Sequence, residues 1–133
     1  MKNESRAAAV IIKNKKLLLF HRHKDGEVYY VLPGGGIEKN ESPEQAVIRE
    51  IKEELNLEVK NPKKLFEFTN LGHREYYYLI KEFSGKLKAI GDSEGGGRIK
   101  DEVVWCNYDD LKEIRLLPEK AKTKLLKFFK ELS

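Results

Sequence analysis

Apolar positions along this chain fall into short aliphatic runs broken by one long stretch of helical spacing. Ala7 to Lys13 and Leu17 to His23 are two such runs, and the polar triplet Asn14-Lys15-Lys16 between them predicts a β-hairpin. Tyr29 to Leu32 predicts a third short strand, stopped by Pro33 and the glycines after it. Ser42 is a good helix N-cap, Pro43 suits the first helical position, and Gln45 completes a capping box, so a helix is predicted from there. On a wheel of about 100° per residue, Val47, Ile48, Ile51 and Leu55 share one apolar arc, while Ala46, Glu50, Glu53 and Glu54 fill the adjacent arc. One side of that helix anchors to a core and the other presents carboxylates. Val59 to Thr69, interrupted at Pro62, and Arg74 to Phe83 predict longer strands. Val103 to Tyr108 predicts another, followed by a short helical turn at Asp109-Asp110-Leu111. Pro118 opens a final amphipathic helix through Leu132, with Leu125, Leu126, Phe128 and Phe129 facing inward. Strands interrupted by two main helices imply an α/β fold with a mixed sheet covered on both faces.

The carboxylates change this picture from architecture to chemistry. Glu50, Glu53 and Glu54 are three and four residues apart, which stacks like charges on one helix face and favours a divalent cation to neutralise them. Gly34-Gly35-Gly36 lies just before the helix, and glycine permits close approach of the backbone to a ligand. Metal and exposed backbone together suggest a phosphate substrate. Arg49, next to Glu50 and four residues before Glu53, either ties a carboxylate in place or reaches back to Glu41.

The span from Gly35 to Leu57 can be followed position by position against a known pattern. It resembles the Nudix hydrolase signature, G-x5-E-x7-R-E-U-x-E-E-x-G-U with U a bulky aliphatic residue: Gly35, Glu41, Arg49-Glu50-Ile51, Glu53-Glu54 and Leu57 fall in register. Asn56 stands where the family has glycine, just past the helix end, and asparagine is the usual second choice for a left-handed residue there. The resemblance, MutT-like in kind, implies a single domain over residues 1–133 with a Nudix-type α/β/α sandwich, a central mixed sheet and a loop-helix-loop metal site. It implies Glu50, Glu53 and Glu54 as ligands, direct or through water, of Mg2+, with Mn2+ satisfying the same oxygens. The reaction implied is hydrolysis of a pyrophosphate bond in a nucleoside diphosphate linked to another group. A nucleoside triphosphate is the first expectation, ahead of ADP-ribose, a sugar nucleotide or a dinucleoside polyphosphate. A nucleotide-binding module that has lost catalysis is the non-catalytic alternative, against which the intact carboxylate set argues.

Roles around the metal are assigned residue by residue. Glu50, Glu53, Arg49 and Glu94 are the candidate catalytic residues, with Arg49 an orienting group. Three carboxylates stay open as general base: Glu50, Glu94 in the loop Gly91 to Gly97, and Glu102. Arg22, at the end of the second strand, and Gly34, Gly35 and Gly36 are the candidate substrate contacts. Tyr29, Tyr30, Tyr76 and Tyr78 read as core and sheet surface, with base stacking the alternative. His21 and His23 have no carboxylate at metal-ligand spacing and are not read as ligands.

Composition sets the outer limits. With 133 residues, 40% hydrophobic and 36% charged, the chain has enough apolar material for a core, which excludes global disorder. The apolar runs are far too short to span a membrane and no signal-peptide pattern is present, so a cytoplasmic protein is expected. A single cysteine, Cys106, excludes an internal disulfide and reads as a small residue packed on a strand. The net charge of +4, with a pI near 9.0, comes largely from lysines on the last helix; without an interleaved aromatic platform this reads as a solvated face, so nucleic acid is not expected as a partner. The apolar strands fit a core or a homodimer contact equally well.

Overall fold

The computed structural model describes residues 5–87 and 99–132. Two compact units, each discontinuous in sequence, divide the chain: Met1–Ile12 with Pro33–Lys88, and Lys13–Leu32 with Ala89–Ser133.

The first unit is built on a mixed sheet. Strand β1 (Arg6–Lys13) runs parallel to β7 (His73–Ile80), and β7 is antiparallel to β6 (Lys63–Asn70). On its other register β1 is antiparallel to β4, which is the glycine run Gly34–Gly36 itself, with Ala7 opposite Gly35 and Ala8 opposite Gly34. The glycines are therefore strand as well as strand-breaker, a difference from the predicted loop. The cause is steric: Gly34 has φ +153°, and a Cβ there would lie 2.3 Å from the Ala7 carbonyl oxygen. Only a residue without a side chain lets the two backbones close to hydrogen-bonding distance. Ala7 to Ile11 are buried in succession, as expected of a strand with both faces covered.

Helix α1 (Pro43–Leu55) forms as its caps predict. Ser42 Oγ accepts from the Gln45 N–H at 3.0 Å, and the Gln45 side chain accepts from the Ser42 N–H at 2.9 Å. At the other end Asn56 takes φ 60°, ψ 32°, the left-handed cap, and its N–H donates to the Lys52 carbonyl at 3.0 Å. The Asn56 side chain also donates to the Lys86 carbonyl at 3.2 Å. Ala46, Val47, Ile51 and Leu55 are the buried face; Ala46 joins the core, whereas Ile48 is half-exposed at its edge. The long strand predicted through Phe83 is interrupted at Lys81, and the three-residue β8 (Glu82–Ser84) pairs instead with β5 (Glu58–Lys60).

Among the described residues of this unit one carboxylate is buried. Glu75, on β7, accepts from Asn70 Nδ2 at 2.9 Å and the Tyr77 hydroxyl at 2.6 Å, and its Oε2 lies 3.0 Å from His73 Nε2. Such bonding is what permits a charged group inside. Burial, and then the bond to Glu75, push the Tyr77 phenol far up, so it stays a donor at all physiological pH.

The second unit is an antiparallel ladder. Strand β2 (Lys16–Lys24) lies between β3 (Glu27–Val31) and β9 (Ile99–Cys106). Leu17 to Phe20 are fully buried, and the segment after Arg115 adds to β3 through Tyr30, whose N–H and C=O bond to Arg115 and Leu117. Strand β9 begins four residues earlier than predicted because its charged first half pairs with the equally polar end of β2. Tyr108 does not end that strand. It opens α2 (Tyr108–Glu113), because the Asn107 side chain caps the Asp110 N–H at 2.8 Å. Helix α3 (Glu119–Leu132) follows Pro118, and its buried side chains are Ala121, Leu125 and Phe129, one turn apart; Leu126 and Phe128 flank them half-exposed. Cys106 is buried with its thiol pushed up to about 11 by desolvation, so it is an unreactive packing residue. Among the described residues no helix is long and apolar enough to cross a membrane.

Because Ile51 is fully buried on the inward face of α1, Ile51→Ala should cost about 2–5 kcal/mol. Urea denaturation checks this as a lower midpoint at constant m-value.

Candidate active site

The acidic face of α1 and the glycine strand β4 meet in the first unit, and Arg49 is where they join. Its guanidinium has five N–H donors and uses each. Nε donates to Glu41 Oε2 at 2.7 Å, and one Nη2 bond goes to Glu41 Oε1 at 2.9 Å, forming a two-point fork. The other Nη2 bond, at 3.0 Å, goes to the Gly36 carbonyl on β4. Nη1 donates to Glu50 at 2.8 Å and to Glu53 at 2.9 Å. The two sequence alternatives for Arg49, holding a neighbouring carboxylate and reaching back to Glu41, are both realised.

The rest of the acidic set is fixed by the strand. Glu54 Oε1 accepts from the Gly34 N–H at 3.0 Å. The Glu50 carboxylate lies where a Gly35 side chain would be, with a Cβ at that position only 2.3 Å from Glu50 Oε2. Glycine at 35 is thus a space requirement of Glu50. Glu41 accepts one further bond, from the Glu38 N–H at 3.0 Å, closing the turn before the helix. Glu50 is largely enclosed at 17% side-chain exposure whereas Glu53 stands out at 60%, so Glu53 is the member most open to an incoming group. As a set, the three are not drawn within 4.8 Å of one another, unlike His21, His23 and Glu102 on the second unit.

Hydrogen bonds from Arg49 and from the Glu38 backbone hold the Glu41 carboxyl down at about 2, and Glu41 and then Glu50 push the Arg49 guanidinium up. Glu41 and Arg49 are therefore a permanent ion pair across the working pH range.

Gly34, Gly35, Gly36, Glu41, Arg49, Glu50, Glu53 and Glu54 are thus brought together. Gly34 already spends its N–H on Glu54. Arg22 lies on β2 of the second unit, where Nε and Nη2 grip Asp101 at 2.8 and 2.9 Å. Glu102, one of the base candidates, pairs with His21 on the same ladder, Nδ1 to Oε1 at 3.4 Å. Glu94 lies outside the described residues. Sequence reading missed Asp101 as the partner of Arg22, and Glu38, whose carboxylate is 3.8 Å from Arg49. The first needs the β2–β9 register, which no local pattern contains; the second was visible as an acidic residue three positions before Glu41.

Comparison with known proteins identifies the family. The NUDIX domain model matches residues 3–131. An RNA pyrophosphohydrolase of Hydrogenovibrio crunogenus is 45% identical over 49 residues, 37% of this chain and 30% of that protein. The match therefore spans less than a third of that relative's length. A CTP pyrophosphohydrolase of Escherichia coli is 28% identical over 121 residues, 84% of this chain and 81% of that one. Among solved structures, a MutT from work on Aliivibrio salmonicida and Vibrio cholerae superposes with a TM-score of 0.76 at 25% identity, covering 96% of this chain and 97% of that one.

Stability in acid follows from the Glu41 pair. Its carboxyl is at 4.5 when unfolded and about 2 when folded, so the unfolded chain takes up the proton first as pH falls. The contribution is whole above 4.5 and is lost as pH drops through about 2. Glu41→Gln should lower stability at neutral pH and flatten the loss across that window. Urea midpoints measured along a pH series decide it, and an unchanged acid limb would count against the pair.

Proposed function

The chain belongs to the Nudix family, and from that premise we propose that it hydrolyses a pyrophosphate bond in a nucleoside diphosphate linked to another group, a nucleoside triphosphate first among these. The single observation that carries the reading is the seating of the acidic face of α1 beside β4, with Glu50 and Glu53 held by Arg49 and Glu54 held by the Gly34 N–H. The names of similar proteins, an RNA and a CTP pyrophosphohydrolase, support the reaction type. One family model running over residues 3–131 supports reading the chain as one domain.

Nudix hydrolases act on nucleotide-type substrates and use divalent cations, and the donor set here fits one. Glu50, Glu53 and Glu54 offer only carboxylate oxygens, the hard donors that Mg2+ selects, and Mn2+ accepts the same set. These three would hold the ion, which when bound supplies charge neutralisation at the phosphoryl oxygens and acidifies water. The protein's own part is placement. Arg49 fixes Glu50 and Glu53 at two points of one planar group, Gly34 fixes Glu54, and Glu41 fixes Arg49. Pre-set carboxylates need no reorganisation when substrate arrives. Arg49 is thus a positioning residue. Glu53, the exposed member, faces substrate, and Glu50, enclosed against Gly35, is the candidate within this unit to take the proton from water.

Glu53→Gln should lower kcat with Mg2+ by about 10²–10³-fold while leaving the urea midpoint nearly unchanged. The assay is turnover of nucleoside triphosphates, ADP-ribose, sugar nucleotides and dinucleoside polyphosphates with products identified. Wild-type activity retained by the variant would remove the metal assignment, and inactivity of the wild type on every substrate would remove the proposal.

A further inference from the structure

Two of the chain's three histidines stand side by side on the second unit. His21 and His23 are two apart on β2 and so project from the same face, with ring centroids 4.9 Å apart. The register of β2 with β9 sets Glu102 directly opposite His21. One nitrogen from each ring and one Glu102 oxygen all lie within 4.8 Å of one another. The carboxylate that no sequence spacing offered to these histidines arrives by strand pairing.

We propose that His21, His23 and Glu102 form a binding site for a borderline transition-metal dication of the zinc class, separate in chemistry from the all-oxygen set on α1. Two imidazoles and one carboxylate are a zinc-type donor set, and three protein ligands leave a fourth position for water or a ligand oxygen. Two donors on tetrahedral bonds of 2.0–2.2 Å sit about 3.3–3.6 Å apart. The His21 Nδ1 to Glu102 Oε1 distance is 3.4 Å, so this pair is already at ligand spacing. The His21 ring is held by stacking on Tyr30 across the β2–β3 pair, at 4.6 Å between centroids and 26° between planes. A fixed ring plane lowers the cost of ordering a ligand. His23 and Glu102 are exposed, free to complete the shell by small rotations at the strand end. Lys100, opposite His23, adds a positive charge at the rim that opposes cation binding. A bound ion would tie β2 to β9 at their polar ends.

The test is calorimetric titration of the full chain with Zn2+ in excess Mg2+, which occupies carboxylate sites without competing for imidazole. One equivalent should bind to the wild type and to Glu53→Gln, and affinity should fall by more than about tenfold in His21→Ala, His23→Ala and Glu102→Gln. Zinc should also shift the imidazole resonances of His21 and His23 in NMR while leaving His73, bonded to buried Glu75, in place. The resonances read the site without any substitution, so a poorly folded His21→Ala does not blunt the test. Absence of saturable zinc binding, binding that survives loss of both histidines, or binding abolished by Glu53→Gln would each overturn the proposal. Because the readout is binding, a failure here is separate from a failure of the hydrolase reading.

Discussion

Mutual repulsion of carboxylates on one helix face is the constraint around which the first unit is organised. Glu41, Glu50, Glu53 and Glu54 lie close to one strand, and Arg49 is the cation hydrogen-bonded to three of them. A planar fork with five donors can satisfy three carboxylates and a carbonyl at once, which the single point charge of a lysine could not. Carboxylates gathered on this face make it acidic, which is the electrostatic condition for holding a dication. The same guanidinium joins helix to strand through Gly36, so the order of the site and the docking of α1 on β4 are one interaction seen from two sides.

The elements that were legible in the sequence are those whose causes are local. Ser42, Pro43, Gln45 and Asn56 mark both ends of α1 because caps act within a turn. The glycine run reads as a break because its pairing partner, β1, is more than twenty residues away and nothing near Gly34 announces it. Likewise the polar stretch Ile99 to Glu102 carries no local strand signal; its strand character comes from pairing with the equally polar end of β2. The expected strand end at Tyr108 gives way to α2 because the Asn107 cap acts there.

The site divides along the same line. Arg49 with Glu50 and Glu53 follows from helical spacing, and Glu41 from its place just ahead of the N-cap. Arg22 with Asp101 and His21 with Glu102 join residues about eighty positions apart, so only the β2–β9 register reveals them. A histidine pair on one strand face was visible from the start; its acidic neighbour was not, because strand register is a property of two segments.

Asn56 closes α1 where the family pattern has glycine, yet it does more than tolerate a left-handed backbone. Its amide reaches Lys86, past β8, so the exit of the helix and the exit of the β5–β8 ribbon share a single clasp. Glycine would serve the cap and leave that clasp open. A departure from consensus here is therefore a gain of wiring: the residue that ends the helix also supplies a hydrogen-bonded stitch between segments thirty positions apart.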